Sequence, residues 1–203
     1  MSRSRSISRK NKIRAPEPVF FIATEGEKTE KQYFNMLSKL LKVRVNVITG
    51  RGRTAPRKLQ RLLDKKLNSK TFRPKDRAWI VCDRDEHSWS EDEIDEVARW
   101  AKNRDCYGLA LSNPLFELWL LLHFEKGARA TKKDDISKRL KKYDSQGKGV
   151  QESKYTLDAI RTAIKNADKK HVPKSLWPRK PGQTTVYLLV RETLEASEEL
   201  HSD

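Results

Sequence analysis

Four short apolar runs, each followed by a stretch of helical periodicity, constrain this chain more than any other feature. Val19–Thr24 (VFFIAT), Ala78–Cys82 (AWIVC) and Tyr107–Ser112 (YGLALS) are apolar nearly throughout, and Val43, Val45 and Val47 alternate ahead of Gly50. Runs of this length bounded by turn residues read as strands, and the uninterrupted ones read as strands covered on both faces. Between them, Thr29 opens a helix carrying Phe34, Leu37, Leu40 and Leu41. Ala55–Asn68 sets Leu59, Leu62, Leu63 and Leu67 on one face and bases on the other, and Ser90 with Glu93 forms a capping box before Ile94, Val97, Ala98 and Ala101. After the fourth run, Asn113 as N-cap and Pro114 as first helical residue predict a mostly buried helix over PLFELWLLLHF. This alternation predicts an α/β fold, an open, mostly parallel four-stranded sheet flanked by helices. Beyond Glu125 the patterns are helical only (Thr131–Tyr143, Tyr155–Lys170 and Thr185–Leu200), and KSLWPRKPGQTT reads as a loop. The expected organisation is a flexible basic arm over 1–17, an α/β core over 18–125, and a basic helical extension over 126–203 packed on that core.

The formal net charge is +16 in 203 residues. It is unevenly placed: residues 42–77 and 126–180 each carry a net +11, whereas 83–105 carries −5. Two basic blocks flanking an acidic one resemble a cradle for a polyanion. The longest apolar run, Phe116–Phe124, carries Glu117 and His123 and is far short of the ~20 residues of a membrane span. Cys82 and Cys106 alone make neither a disulfide framework nor a zinc site. No apolar segment follows the basic start, so no secretory signal is read, and a cytoplasmic protein without a membrane partner is expected.

In an open α/β sheet, chemistry collects beyond the carboxyl ends of the strands. Two acidic motifs lie there: Glu25-Gly26-Glu27-Lys28-Thr29-Glu30 after the first run and Asp83-Arg84-Asp85-Glu86 after the third. Carboxylates brought together repel unless a cation is bound or some hold protons. Oxygen-only ligands suit Mg²⁺ or Mn²⁺, and such an ion in a basic surround suits phosphodiester chemistry. The candidate ligands are Glu25, Asp83, Asp85 and Glu30; Glu30 either reaches the site from its helix or complements that helix's dipole. A phosphate-loop reading of GEKT fails, because Glu27 stands where a glycine is required. His123, on an apolar helix, reads as a satisfied core histidine. Arg51, Arg53, Arg57, Lys58, Arg61, Lys65 and Lys66 form the best phosphate-tracking surface, with Lys28 and Arg84 beside the acids as further contacts. Trp79, Trp89 and Trp177 are candidates for stacking on bases, although Trp79 in a strand suits a core better.

FIATEGEKTEKQYF, the GRGRT turn, VCDRDEH and above all SNPLFELWLLLHF resemble the RloB-like family, associated with abortive phage infection. That family is similar to a compact Toprim fold, shared with primases, topoisomerases and OLD-type nucleases. The resemblance implies that Glu25 acts as general acid or base beside the metal and that Asp83 and Asp85 bind it. It also implies a second acidic position at Glu30 and family-specific positions at Asn113 and Glu117, placed after the fourth run to face the same edge. An ATPase partner is implied as well. The resulting expectation is a Mg²⁺- or Mn²⁺-dependent nuclease acting in phage defence through one or two ions, with RNA such as tRNA favoured over DNA. The alternative is a non-catalytic nucleic-acid-binding or regulatory subunit of an ATPase-containing complex.

Overall fold

A computed structural model describes residues 17–50, 54–68, 72–84, 89–126, 130–145, 149–169 and 175–202. The basic arm, apart from residue 17, lies outside that set, as do Arg51, Arg53 and Asp85. In chain order the elements are β1 (Val19–Thr24), α1 (Thr29–Leu41), β2 (Arg44–Thr49), α2 (Pro56–Leu67), β3 (Arg77–Asp83), α3 (Glu91–Lys102) and β4 (Tyr107–Asn113). There follow α4 (Glu117–Leu121), α5 (Lys133–Leu140), a 3-10 turn at Glu152–Lys154, α6 (Leu157–Asp168), β5 (Gln183–Thr184) and α7 (Val186–His201). The sheet order is β2-β1-β3-β4-β5, parallel except for β5.

Strand alternation sends the apolar side chains to two separate cores. Phe20, Ile22, Trp79, Val81 and Ala110 face one side, with Tyr33, Phe34 and Leu37 of α1, Leu118–Leu121 of α4, and Val186, Leu189 and Val190 of α7. Phe21, Ala23, Ala78, Ile80, Leu109 and Leu111 face the other, against Leu59 and Leu63 of α2 and Ile94, Val97 and Ala98 of α3. Glu192 fastens α7 to β3, accepting from Trp79 Nε1 at 2.9 Å and Arg77 Nε at 2.5 Å. The Ser90–Glu93 capping box is present at α3. His123 is buried and neutral: Nδ1 donates to the Trp119 carbonyl at 3.0 Å, which leaves Nε2 to accept from the Tyr33 hydroxyl at 3.1 Å. Burial pushes its pKa down to about 4. Among the described residues no helix is long and apolar enough to cross a membrane.

Two expectations need correction. The sheet has five strands rather than four, because Gln183–Thr184, inside the stretch read as a loop, pairs antiparallel with Ser112–Asn113. Two residues are too few to show a period of two. The helix expected from Pro114 is helical only over Glu117–Leu121. β4 instead runs through Asn113, whose amide donates to the carbonyls of Pro178 and Arg179, 3.2 Å from each, and caps nothing. The burial expected of that segment holds, since Leu118 to Leu122 are all buried.

Gly108 in β4 lies directly beneath the indole of Trp79, and an added Cβ would fall 2.5 Å from its ring carbons. The indole is pinned by Glu192 and has no free direction in which to move. Gly108→Ala is therefore expected to lower stability by about 1–3 kcal/mol, read as a lower melting temperature; an unchanged melting temperature contradicts the pinned indole.

Candidate functional site

The topology creates one crevice. The connection from β1 passes through α1 over one face to β2, whereas α2 and α3 return over the opposite face to β3 and β4. The chain thus leaves β1 and β3 in opposite directions, and such a switch opens a cleft beyond the carboxyl ends of the two strands. Glu25 follows β1 and Asp83 ends β3. Their backbones are locked across it: Glu25 N–H donates to the Val81 carbonyl at 3.2 Å, and Asp83 N–H donates to Glu25 Oε2 at 3.4 Å.

Gly26 explains how a third acid joins. The Glu30 carboxyl folds back from the first turn of α1 onto Gly26, where an added Cβ would lie 1.9 Å from Oε2. Glu30 is 8% exposed, and its pKa is raised to about 7, first by burial and then by the charges of Glu117 and Glu25. Asp83 is pushed well above the usual carboxylate range by burial and by Glu30, Glu117 and Glu25, with Lys133 opposing. Glu117, on the first turn of α4, is raised by burial and again relieved by Lys133. Glu25, Glu30, Asp83 and Glu117 therefore form one electrostatically coupled group. Glu117, which the sequence places only at the same edge, belongs to it.

Asn113 closes the far side of the crevice. Its Nδ2 donates to two carbonyls, which fixes the amide orientation, because the flipped form would set oxygen against oxygen. Its Oδ1 is then a buried acceptor with no hydrogen-bond partner.

The basic candidates differ in availability. Lys28 is exposed just before α1. Thr54 packs against Gly50, so α2 starts at this same edge, with Lys58 exposed on its first turn and Arg61 one turn on. Arg57 is engaged in an ion pair with Glu96 of α3. Arg84 turns onto the start of α3, donating to the Trp89 carbonyl at 2.9 Å and lying over Trp177. Trp177 is 1% exposed, donates to Asp95, and stacks under Arg179 at 4.5 Å. Trp177 and the buried Trp79 are therefore core residues rather than stacking platforms. Lys133 carries no sequence signal, being one lysine among many after residue 125.

The donor set is the kind a hard divalent cation takes: carboxylates that repel one another, and an amide oxygen left without a donor. Among the described residues no three His, Cys, Asp or Glu side chains already stand as a ready-made metal group. Asp85 lies outside them.

A family model described as RloB-like protein matches residues 20–193. The chain belongs to the RloB-like family. The match spans the strands of the crevice, its four carboxylates and Lys133. Neither a comparison with curated proteins nor one with solved structures returns a match for this RloB-like chain.

The raised pKa of Glu30 makes stability depend on pH. In metal-free protein the folded chain keeps a proton on Glu30 between the unfolded value of 4.5 and the folded value of about 7. Its contribution is neutral below that window, becomes unfavourable as pH rises through it, and reaches about 3 kcal/mol above it. Glu30→Gln, melted with chelator present, is expected to gain on wild type from about pH 5 to about pH 8. A constant difference in melting temperature across that range contradicts the assignment.

Proposed function

We propose that this RloB-like chain is a divalent-metal-dependent nuclease acting in anti-phage defence. The observation that carries the reading is the Glu25–Asp83 contact across the β1/β3 crevice, joined by Glu30 and Glu117 into one repelling carboxylate group. A Mg²⁺ or Mn²⁺ ion bound there would neutralise the acids and polarise the oxygens of a phosphodiester. Glu25, Asp83 and Asp85 are the residues that would hold it, with Glu30 completing the set. The same repulsion that costs stability in the metal-free protein favours a cation in this crevice over empty solvent.

The remaining groups position the substrate. Lys28, Lys58 and Arg61 are solvated bases at or beside the crevice edge, and contacts from such groups to phosphates give affinity without reading sequence. Arg84 holds the backbone that follows Asp83 through Trp89 and so orients the acid motif. RNA, tRNA included, is the favoured substrate, and an ATPase partner would deliver or restrain the nuclease.

The test is cleavage of total tRNA, single-stranded RNA, duplex DNA and supercoiled plasmid, with Mg²⁺, with Mn²⁺ and with chelator. Asp83→Asn is expected to abolish metal-dependent cutting while melting at or above the wild-type temperature at neutral pH, because it removes one of the repelling charges. Wild-type cutting that persists in chelator, or a folded Asp83→Asn chain that cuts at the wild-type rate, overturns the reading. Metal binding without cutting on any substrate favours the regulatory subunit instead. Lys58→Glu with Arg61→Glu is expected to weaken nucleic-acid binding about equally across sequences and to flatten its salt dependence; unchanged binding removes α2 from the interface.

A further inference from the structure

The crevice acids come from the first part of the chain, but one wall of the crevice is built by residues beyond 125. β5 pairs with the end of β4, and Gly182 N–H donates to the Asn113 carbonyl at 2.8 Å. A Cβ at Gly182 would stand 3.3 Å from the carbonyl oxygen of Ala130 and from Thr131, so the chain before α5 is pressed against the carboxyl end of β4. Ala130 is fully buried there, and α5 starts three residues later at Lys133. Two anchors fix α5: Ile136 and Leu140 in the core, and the Arg139 guanidinium on Glu125 just past α4, at 2.9 and 3.0 Å. Lys133 is thereby held on a rigid first turn beside Glu117 and Asp83, and its charge acts on both.

An ammonium next to a carboxylate cluster has two uses, to neutralise the acids for folding or to hold an anion. Lys133 is exposed, and a solvated ion pair adds little to stability. A solvated ammonium on a fixed element, beside a crevice that rejects anions on its acidic side, is suited to the second use.

We propose that Lys133 is the crevice residue that holds a non-bridging oxygen of the phosphodiester, so that the segment beyond residue 125 completes the active site. This rests on the nuclease reading and deepens it by assigning a phosphate-holding catalytic residue. No bond forms or breaks at Lys133: its ammonium donates hydrogen bonds to an anionic oxygen whose charge grows as water adds to phosphorus and the leaving oxygen departs. Lys132, exposed and adjacent, shares the general positive field and serves as the control.

The experiment uses the full chain and whichever substrate of the panel is cut. Lys133→Ala is expected to lower kcat about a hundredfold or more with KM changed far less, Lys133→Arg to restore part of the loss, and Lys132→Ala to leave kcat near wild type. Melting temperatures of all three are expected to match wild type. A second measurement needs no catalysis. In the Asp83→Asn background, Lys133→Ala is expected to reduce the slope of log binding constant against log salt by about one phosphate contact.

Activity of Lys133→Ala close to wild type, or equal losses for Lys132→Ala and Lys133→Ala, overturns the proposal and leaves the nuclease reading standing. Absence of cutting by the wild type on every substrate overturns the nuclease reading instead. The salt slope then decides whether Lys133 touches phosphate, and an unchanged slope refutes that contact.

Discussion

Repulsion among Glu25, Glu30, Asp83 and Glu117 is the interaction around which the rest of the structure is arranged. Four carboxylates from three strand ends and two helix starts cannot be brought together without loss, and burial adds to that loss at Glu30, Asp83 and Glu117. The packing beneath them resists it. Tyr33, one turn beyond Glu30 on α1, meets Phe34, Phe116, Trp119, His123 and Tyr155 edge-on, with centroids 5.4 to 6.3 Å away. Such pairs contribute about 0.5–1.5 kcal/mol each beyond simple burial. Phe116 adjoins Glu117, so the same aromatic pack holds both helices whose acids repel. A site of this kind is strained by charge rather than by backbone, and a bound cation relieves it.

The chain returns to the crevice late. Residues 175–185 run across the ends of β4 and α3, and their contacts are dense. Arg179 bridges to Glu91 at 2.6 Å and to Asp95 at 2.9 Å, Trp177 donates to Asp95, and Thr185 Oγ1 accepts from Leu111 N–H. This strap takes up the Asn113 amide and lies against Arg84, so it fixes the surroundings of both the third and the fourth strand ends. Removing a region after residue 125 as a dispensable appendage would open the crevice, because β5, the strap and α7 are part of the same two layers.

Much of this was legible in the sequence for identifiable reasons. Apolar runs and helical stripes are local signals, and β1, β3, β4, α1, α2 and α3 lie within a residue or two of where periodicity put them. The capping box at Ser90 and the satisfied state of His123 were legible too, since each depends on neighbours three or four positions away or on an apolar helix. β5 was not legible, because its two residues pair with a strand some seventy positions earlier. The start of α4 was misjudged because Asn113 has a local use, capping, and a distant one, binding Pro178 and Arg179, and the distant one prevails. Trp177 looked like a free aromatic because nothing nearby in the sequence shows Asp95 or Arg84.

The sequence by itself determined the α/β class, the charge asymmetry and the two acidic motifs at strand ends, since all three depend on residue type and short-range spacing. Only the tertiary structure decided which acids meet. Glu25 and Asp83 touch because strand order places β1 beside β3, Glu30 joins because Gly26 leaves room for its carboxyl, and Glu117 joins because β4 delivers α4 to the same edge. Lys133 reaches that edge only through the contact of Gly182 with Ala130. Proximity between residues far apart in a chain follows from layer packing and strand order, and neither is written in any single stretch of sequence.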